Sequence, residues 1–356
     1  MSKKKILSLR LEIDSLDEKI VKLLNKRALA GKHIGGVKEA RNAPIYSPGR
    51  ENQVYSNIKS LNKGPLPFDA LKPIYAEIMS ACRNLEKPLK IAYLGPEFTF
   101  SHQAVLKKFG SSVETLAADS IPEVFLAVEN GNADYGVVPI ENSIEGAVNY
   151  TMDMFVNSEI VICAEEYCKI RQNLLSKETS LKNVRSVLSI PPVFGQCKGW
   201  LEKNLPHVRL KDTVSTAKAA EMVASMRHVA CIASELAARR YKLNILARSI
   251  HDSSYNVTRF LVLGKKMHKS SGNDKTSILF SVQDKPGILH EMLSSFRHHN
   301  INLNRIESRP SKLEAWKYYF FIDIDGHVDD EKVKKALGAL KNKCNFLKIL
   351  GSYPKG

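Results

Sequence analysis

The sequence predicts a multidomain protein in which an all-α segment precedes an α/β segment and a smaller α+β segment. Three patterns carry this prediction. Apolar residues first recur with the spacing of a long helix. Short strand-like runs then alternate with helical stretches, and a strand–helix–strand–strand–helix–strand order closes the chain. With 356 residues, 44% of them hydrophobic, the chain is long enough for two or three domains with cores of their own.

The first segment opens with one long predicted helix over residues 6–41. Apolar residues recur along it in steps of four and three, which form a coiled-coil seam that a second copy of the helix would cover. Arg27 lies on this seam, and Lys38 lies about 20° away around the helix and roughly 16 Å along it. Two such basic side chains can converge on a small dianion. The alternative is that Arg27 only fixes helix register or reaches solvent. The apolar seam residues are Leu9, Ile13, Leu16, Ile20, Leu23, Ala30, Ile34 and Val37.

Two further helices are predicted after Pro44 and Pro48, one from about residue 50 and one over residues 69–86. Polar and charged residues of this segment form a recognisable set: Arg10, Arg27, Lys38, Arg50, Glu51 and the run EIMSACRNLE that ends at Glu86. Over residues 1–88, this set resembles the all-helical chorismate mutase family. The resemblance implies an intertwined dimer that holds chorismate, a dicarboxylate, in its reactive conformation and stabilises the charge that develops.

The same resemblance implies a role for each of these side chains. Arg27, together with Arg10 from the partner chain, would bind carboxylates, which the planar guanidinium group grips at two points. Lys38 would meet the ether oxygen of chorismate, and Glu51 would meet the ring hydroxyl. The remaining residues of the expected mutase site are Ser47, Arg50, Cys82 and Glu86.

This chain departs from the mutase family at two positions. Ser47 stands where some members have an aspartate, and Glu86 stands where other members have a glutamine. A glutamine donates a hydrogen bond at any pH, whereas a glutamate donates only when protonated. We therefore expect mutase activity that falls as pH rises, and a flatter profile in a Glu86→Gln variant. Initial rates measured across the neutral pH range test this, and a flat profile shared by both proteins would contradict it.

The second segment, residues 89–266, predicts an α/β fold with mostly parallel sheets, because runs such as LKIAYLG, YGVVPIE and RFLVLG alternate with helical stretches. No glycine-rich nucleotide motif occurs in it, so we expect no nucleotide cofactor. Polar clusters follow several strands, where ligands bind in open α/β sheets. Taken singly, each cluster is also typical of a helix cap or a turn. The clusters are Gly95–His102, Pro139–Ser143 and Thr258–Phe260.

Six runs of this segment occur in an order that resembles prephenate dehydratase: YLGPEFTFSH, PIENSIEGAVNYT, QNLLS, GQCKGWL, STAKAAE and NVTRFLV. The resemblance implies a two-lobed domain that expels hydroxide and carbon dioxide from prephenate. Thr258 would donate a hydrogen bond to the departing hydroxyl in a dry, aligned site. Arg259 would anchor a carboxylate, and a structural salt bridge is the alternative for it. The other expected cleft residues are Thr99, Ser101, Glu141, Asn142, Ser143 and Phe260.

Two departures from this family stand out. Phe98 replaces the usual glycine of the first loop, which we expect to add bulk and to remove access to positive φ. Ile190-Pro191-Pro192 replaces a common His-Pro-Gln run. Both substitutions leave the expected polar residues in place, so we expect dehydratase activity.

The third segment, residues 276–356, follows a predicted linker over residues 267–275. Its βαββαβ order is that of a ferredoxin-like fold. The runs DKPGILHEML and NINLNRIESRPSK resemble the ACT regulatory domain, which binds an amino acid and would bind phenylalanine in this setting. Binding would favour the less active of two arrangements of the dimer. The residues that match the regulatory motifs are Gly287, Ile288, Leu289, Glu307, Ser308, Arg309 and Pro310.

Composition and motifs argue against a secreted, membrane, nucleic-acid-binding or metal-binding protein. The six cysteines form no CxxC pair, so we expect reduced thiols in a cytoplasmic protein and chance sequons at Asn149 and Asn256. No apolar run is long enough to span a membrane. The net charge of +16 lacks a nucleic-acid signature, so we expect neither nucleic acid nor membrane as a partner, and a small acidic ligand instead. We also expect no metal, since His290, His298 and His299 fit a solvated helix.

The three resemblances together imply a homodimer, or a higher homo-oligomer, that converts chorismate through prephenate to phenylpyruvate without a cofactor and is inhibited by phenylalanine. One alternative is a dehydratase whose helical segment serves only for dimerisation. A second is a non-catalytic amino-acid sensor, because the α/β segment also has the pattern of two-lobed binding proteins. A third is arogenate as the substrate in place of prephenate, and no residue distinguishes these two compounds.

Overall fold

A computed structural model describes residues 3–41, 43–282, 285–311 and 318–356. The chain divides into two compact units, which are described separately. The smaller unit takes its residues from 1–47, 53–89 and 107–114, and the larger unit takes its residues from 48–52, 90–106 and 115–356. Among the described residues, no helix combines the length and the apolar character that a bilayer crossing requires.

The N-terminal helices match the predicted pattern closely. They are α1 (Lys3–Ala40), α2 (Pro48–Leu61) and α3 (Phe68–Glu86). Pro48 occupies the first turn of α2, where a missing N–H costs no helical hydrogen bond. Gly35 is the one buried residue of α1, and a Cβ at this position would lie 2.9 Å from Cβ of Glu86. A glycine is therefore needed where α1 crosses α3.

The apolar seam of α1 is exposed along most of its length. Its leucine, isoleucine and valine side chains are between 43% and 65% exposed. Isolated exposed apolar residues are ordinary, but a continuous row of this length marks an interaction surface. No other described part of the same chain covers this row. The exposed seam residues are Leu9, Ile13, Leu16, Ile20, Leu23, Ile34 and Val37.

The first lobe of the larger unit contains a six-stranded mixed sheet in the order β2-β1-β3-β11-β5, with β4 paired to β3. Its central pair β1/β3 is parallel, whereas β11 runs antiparallel to both β3 and β5. The strands are β1 (Lys90–Leu94), β2 (Glu114–Ala118), β3 (Tyr135–Asn142), β4 (Gly146–Ala147), β5 (Val161–Lys169) and β11 (Val257–Gly264), and the helices are α4 (Phe100–Phe109), α5 (Ile121–Glu129) and α6 (Asn149–Asn157).

The second lobe contains a five-stranded sheet in the order β10-β6-β9-β7-β8. Its parallel part is β9, β7 and β8, and its antiparallel part is β10, β6 and β9. The strands are β6 (Asn173–Ser176), β7 (Ser186–Ser189), β8 (Arg209–Asp212), β9 (Val229–Ala233) and β10 (Asn244–Ala247). The helices are the 3-10 turn Leu181–Asn183, α7 (Pro191–Gln196), α8 (Lys198–Asn204), α9 (Thr216–Val223) and α10 (Glu235–Tyr241).

The prediction of mostly parallel sheets is therefore wrong, and both sheets are mixed. In the first sheet the reason is the path of the chain between the lobes. The chain leaves the first sheet after β5, builds the second lobe, and returns as β11 between β3 and β5. This return places β11 antiparallel to both of its neighbours. Strand patterns alone do not show that two separated stretches share one sheet.

The C-terminal part has the predicted βαββαβ order, with its four strands in the antiparallel order β13-β14-β12-β15. The elements are β12 (Asp274–Ser281), α11 (Ile288–His298), β13 (Leu303–Pro310), β14 (Tyr318–Asp325), α12 (Glu331–Lys341) and β15 (Phe346–Pro354). The predicted strand that corresponds to β14 includes residues 315–317, which lie outside the described residues. Asp284 of the run DKPGILHEML also lies outside them.

The predicted linker, residues 267–275, is structured at its C-terminal end. The buried carboxylate of Asp274 accepts hydrogen bonds from the backbone N–H groups of Ser271 and Gly272, at 2.8 and 3.0 Å. Strand β12 therefore begins two residues before the predicted boundary. The ferredoxin-like sheet also packs closely on the first lobe, because a Cβ at Gly351 would lie 2.2 Å from the carbonyl oxygen of Ile162.

Candidate active sites

The first candidate site lies where α1 packs on α3. Gly35 permits this approach, since a Cβ there would lie 2.9 Å from Glu86, whereas a Cβ at Gly31 would make only an ordinary contact with Cys82 at 3.6 Å. Arg27 Nη1 then lies 3.0 Å from Sγ of Cys82. Among the described residues, no carboxylate lies within ion-pair distance of Arg27. Its positive charge is therefore not neutralised within the described chain, which suits a side chain that binds an anion.

Lys38 lies further along the same face of α1. Its Nζ is 3.2 Å from Oε2 of Glu86 and donates to the carbonyl oxygen of Ile45 at 2.8 Å. The side chain of Glu86 is 8% exposed and that of Lys38 is 26% exposed. The carboxylate is therefore withdrawn from water and held by the ammonium group. The structure brings together four of the predicted mutase residues: Arg27, Lys38, Cys82 and Glu86.

The other predicted mutase residues lie near the start of α1 and at the start of α2. Arg10 is exposed and lies 17 positions before Arg27, which is about 25 Å along an α-helix. It cannot reach the cluster of its own chain. Ser47 precedes α2, its side chain makes no capping hydrogen bond, and Arg50 and Glu51 lie in the first turn of α2. Arg50 is exposed, whereas Glu51 is buried.

The second candidate site lies where β3 ends and β11 begins. Thr258 and Asn142 are directly opposite each other in this antiparallel pair. The Asn142 side-chain amide donates to Thr258 Oγ1 at 2.9 Å and to Asn256 Oδ1 at 2.9 Å. Its carbonyl oxygen accepts from the backbone N–H of Ile144 and of Glu145, as an asparagine does at the start of a turn. Both the NH2 group and the carbonyl oxygen of the Asn142 side chain are therefore held by hydrogen bonds.

Thr258 is buried, with 8% exposure, and its oxygen is an acceptor for Asn142. No group in the described part of the chain accepts a hydrogen bond from the Thr258 hydroxyl. Its proton is thus directed away from Asn142 and remains available to a ligand. A hydroxyl that already accepts a hydrogen bond is also a stronger donor, because hydrogen bonds in a chain polarise one another.

Sequence reasoning missed the residues that continue this network into the second lobe. Asn256 Nδ2 donates to Oε1 of Gln196 at 2.8 Å, and Gln196 Nε2 donates to Oε1 of Glu145 at 3.0 Å. Gln196 ends α7, which begins at Pro191. The Ile190-Pro191-Pro192 departure therefore starts the helix that carries Gln196. The run GQCKGWL contained this glutamine, and it was the only signal in the sequence.

The sequence analysis interpreted the N-glycosylation pattern at Asn256 as a chance match, and the position of Asn256 agrees with that interpretation. The side chain is 2% exposed and lies inside the network beside Thr258. A glycan could not be attached to it in the folded chain. Ser143 also has a structural position, because its hydroxyl donates to Tyr255 O and accepts from the N–H of Val257 at 3.0 Å. It holds the two loops of the site together.

Arg259 lies on the opposite face of β11 from Thr258, because successive side chains of a strand alternate. Its guanidinium group binds Glu165 Oε2 at 2.8 Å, Asp323 Oδ2 at 2.5 Å and the Tyr353 hydroxyl at 3.0 Å. Burial alone would lower the pKa of Arg259, but Tyr353, Asp323 and Glu165 raise it above its ordinary value. The structure therefore supports the alternative prediction for Arg259, a structural salt bridge, rather than an anchor for the substrate carboxylate.

The first loop also differs from its predicted role. Thr99 Oγ1 donates to the Pro96 carbonyl oxygen at 3.0 Å and accepts from the N–H of His102 at 3.4 Å, so it supports the start of α4. Ser101 follows in the first turn and is buried. Phe260 is buried as well, with 2% exposure, inside β11.

The expectation that Phe98 loses positive φ is wrong, since its φ is 68°. Contacts with the second lobe stabilise this backbone. The Phe98 ring packs edge-on against Tyr241 at 6.0 Å, and Ser234 donates to its carbonyl oxygen at 2.9 Å. Its N–H donates to Nδ1 of His102, whose pKa is lowered by burial. Phe98 therefore ties the first loop to the second lobe.

The predicted regulatory residues lie on two elements of the ferredoxin-like part. Gly287 has φ 79° and precedes α11, whose first turn contains Ile288 and Leu289. A glycine suits this left-handed position. The segment Glu307–Pro310 lies on β13, at the edge of the sheet. Within it, Glu307 and Arg309 are half-buried, whereas Ser308 and Pro310 are exposed. No cluster of potential metal ligands occurs among the described residues.

Comparison with known proteins agrees with this division of the chain. A family model described as prephenate dehydratase matches residues 91–268, one described as chorismate mutase type II matches residues 9–87, and one described as the ACT domain matches residues 276–342. Each match covers one of the three segments.

Similar proteins extend over nearly the whole chain. A bifunctional chorismate mutase/prephenate dehydratase of Aquifex aeolicus is 52% identical over 98% of this chain and 97% of that protein. One of Pseudomonas aeruginosa is 44% identical over 98% of this chain and 97% of that protein. The crystal structure of a prephenate dehydratase of Arthrobacter aurescens in complex with L-Phe has a TM-score of 0.70 and 31% identity, and covers 75% of this chain and 90% of that chain. The chain belongs to the family of bifunctional chorismate mutase/prephenate dehydratases that carry an ACT domain.

Proposed function

We propose that the chain rearranges chorismate to prephenate on its helical segment and then converts prephenate to phenylpyruvate on its α/β segment. The observation that carries this proposal is the Asn142–Thr258 pair, in which a buried hydroxyl accepts one hydrogen bond and keeps its proton for a ligand. The un-neutralised Arg27 beside Cys82 supports the first step.

In the first step, the protein has to hold one conformer of chorismate and stabilise charge across the breaking C–O bond. Arg27 supplies a guanidinium group for a carboxylate. Lys38 supplies an ammonium group that Glu86 already positions at 3.2 Å. These side chains form an organised cluster on one face of α1, which favours catalysis over the alternative that the helical segment serves only for dimerisation.

In the second step, the ring carboxylate of prephenate leaves as carbon dioxide while its bonding electrons move into the ring. The ring hydroxyl departs at the same time and takes up a proton, which gives phenylpyruvate and water. Thr258 donates a hydrogen bond to this departing oxygen. Asn142 donates to the threonine oxygen, so that its O–H is directed away from Asn142 and can meet the substrate. A preorganised donor of this kind contributes about 100- to 1000-fold to the rate.

We also propose that two copies of the chain pair through the exposed seam of α1. The seam is a row of apolar side chains along a 38-residue helix, and an identical helix is the complementary surface for it. Pairing also supplies the arginine that each site lacks, since Arg10 lies about 25 Å from Arg27 of its own chain. Each mutase site would then combine Arg27 of one chain with Arg10 of the other.

A mixture of two inactive variants tests this pairing. We expect Arg10→Ala and Arg27→Ala each to lose mutase activity, because each removes one carboxylate contact from every site. When the two are co-expressed, a mixed dimer has one site with both arginines, so about a quarter of the wild-type activity should return. Mutase rates of the purified mixture measure this. If no activity returns although mixed dimers form, both arginines act within one chain and the proposal is wrong.

We propose that the ACT domain binds phenylalanine and that binding inhibits the second step. The segment Glu307–Pro310 and Gly287 match the regulatory motifs, and the Arthrobacter aurescens relative was crystallised with L-Phe. We further expect the protein in the cytoplasm. Its six cysteines are all free thiols, five of them buried, which fits a reducing compartment.

The assay for this function uses the wild-type chain and chorismate, with no added metal or cofactor. Prephenate and phenylpyruvate are quantified with and without phenylalanine. Formation of phenylpyruvate that phenylalanine suppresses is the expected result. Prephenate that accumulates without phenylpyruvate would contradict the second step, and the absence of both products would favour the amino-acid sensor.

A further inference from the structure

The two strands that carry the dehydratase site have a second, opposite face. In the β3/β11 pair, Thr258 faces Asn142 and Arg259 faces Glu141. Because side chains alternate along a strand, the pair Asn142 and Thr258 points one way and the pair Glu141 and Arg259 points the other way. Their contacts agree with this, since the first pair bonds within the site and the second pair reaches the ACT domain.

Arg305 of the ACT domain binds this opposite face at the end of β3. Its Nε lies 3.1 Å from Oε2 of Glu141, and its side chain is 11% exposed. The N–H bonds of Nε and Nη2 of Arg305 are not aligned with an acceptor, so the contact of Nε with Glu141 is an ion pair rather than a directed hydrogen bond. Glu141 is 40% exposed and immediately precedes Asn142. Arg305 therefore acts on the β3 residue that immediately precedes the amide holding Thr258.

The second contact lies next to the first. Arg259 binds Asp323 on β14, and Arg259, Asp323 and Arg305 line one small cavity of about 10 Å³, which is at the lower limit for holding a single water. Glu165 is shared by Arg259 and by Lys275 of β12, at 2.8 Å from each. The ACT domain thus holds β3 through Arg305 and β11 through Asp323.

We propose that Arg305 is a positioning residue of the dehydratase reaction, which fixes Glu141 and thereby keeps the Asn142 amide against the Thr258 hydroxyl. This inference rests on the proposed function of Thr258. The regulatory segment Glu307–Pro310 lies on the same strand as Arg305, so a ligand that shifts β13 also shifts this contact. Arg305 does not touch the substrate, and its effect is on the geometry of the donor.

The variant that tests this is Arg305→Gln in the full-length chain. A small displacement of a catalytic group lowers the rate far more than it weakens binding, so we expect kcat for prephenate to fall by about 10- to 100-fold with little change in KM. Arg305→Lys keeps the positive charge and should retain most of the rate. Circular dichroism and thermal unfolding of the same preparations report whether the larger unit, which contains Arg305, is folded.

The chain offers a matched control on the same strand. Arg309 lies four residues after Arg305 on the same face of β13 and binds Asp153 of α6 at 3.2 Å. This ion pair also crosses from the ACT domain to the first lobe, but its partner lies on α6 rather than on β3 or β11. Asp153→Asn should therefore leave kcat for prephenate unchanged. If Asp153→Asn lowers kcat as much as Arg305→Gln does, the effect is general loosening of the domain contact and the proposal is wrong.

A double-mutant cycle that combines Arg305→Gln with Glu141→Gln tests whether Arg305 acts through Glu141. If Arg305 acts through Glu141, the double variant should be no slower than the slower single variant, because either change breaks the same contact. Multiplied losses would overturn the proposal, as would a large rise in KM in place of a fall in kcat. Phenylpyruvate formation by the wild-type chain distinguishes failure of the proposed function from failure of this inference. If the wild-type chain forms no phenylpyruvate, the proposed function fails and this inference fails with it, whereas an active wild type and an equally active Arg305→Gln overturn only the inference.

Discussion

Replacing Thr258 with valine is expected to lower phenylpyruvate formation from prephenate by about 100- to 1000-fold, the contribution of one preorganised donor. Valine keeps the shape of threonine but removes the hydroxyl that we propose donates to the departing oxygen. It also leaves one N–H of Asn142 without the acceptor that now lies 2.9 Å away. Initial rates with prephenate as the substrate measure the effect.

Thr258→Ser is the matched control for this prediction. Serine restores the hydroxyl and can accept from Asn142, so it should recover most of the rate that valine removes. Mutase activity of both variants should equal that of the wild type, because Thr258 lies in the larger unit and the Arg27 cluster lies in the smaller one. A Thr258→Val variant that keeps the wild-type rate on prephenate would show that another group stabilises the departing oxygen.

Replacing Arg27 with alanine is expected to lower mutase kcat/KM by about 100-fold or more, which corresponds to the loss of a charge-assisted contact made by this half-buried side chain. The guanidinium group of Arg27 is held at Cys82 and is not neutralised by a carboxylate of the described chain. Its loss removes the partner of one carboxylate of chorismate. Initial rates of chorismate consumption measure the change.

Lys26→Ala is the control on the same helix. Lys26 is exposed and lies next to Arg27, and its replacement by alanine removes the same unit of positive charge. It should leave mutase kcat/KM within about twofold of the wild type, since surface charges contribute little at a distance in salt. Equal losses in the two variants would mean that the effect arises from the net charge of α1 rather than from a specific contact.

Local patterns predicted the elements well, and the reasons are physical. The heptad spacing of α1 and the proline at the start of α2 act within a few residues, so the sequence contains them directly. Strand pairing depends on residues far apart in the chain, so the return of β11 between β3 and β5 was not predicted. The mixed sheet follows from that return.

The same distinction holds within the site. Thr258 and Asn142 were predicted from motifs, whereas Gln196 was not, because its bond to Asn256 spans 60 residues. Arg305 is a similar case, since only the folded chain brings it to Glu141. The position of Arg259 could have been predicted, because adjacent residues of a strand face opposite sides and Thr258 already occupied the site.

The most direct test of two separate catalytic sites in one chain compares Arg27→Ala and Thr258→Val on both substrates. The structure places the two side chains in different compact units. We therefore predict that Arg27→Ala converts prephenate at the wild-type rate but fails with chorismate, and that Thr258→Val converts chorismate to prephenate at the wild-type rate and stops there. If either variant loses both activities while it remains folded, the two reactions do not have independent sites and the account is wrong.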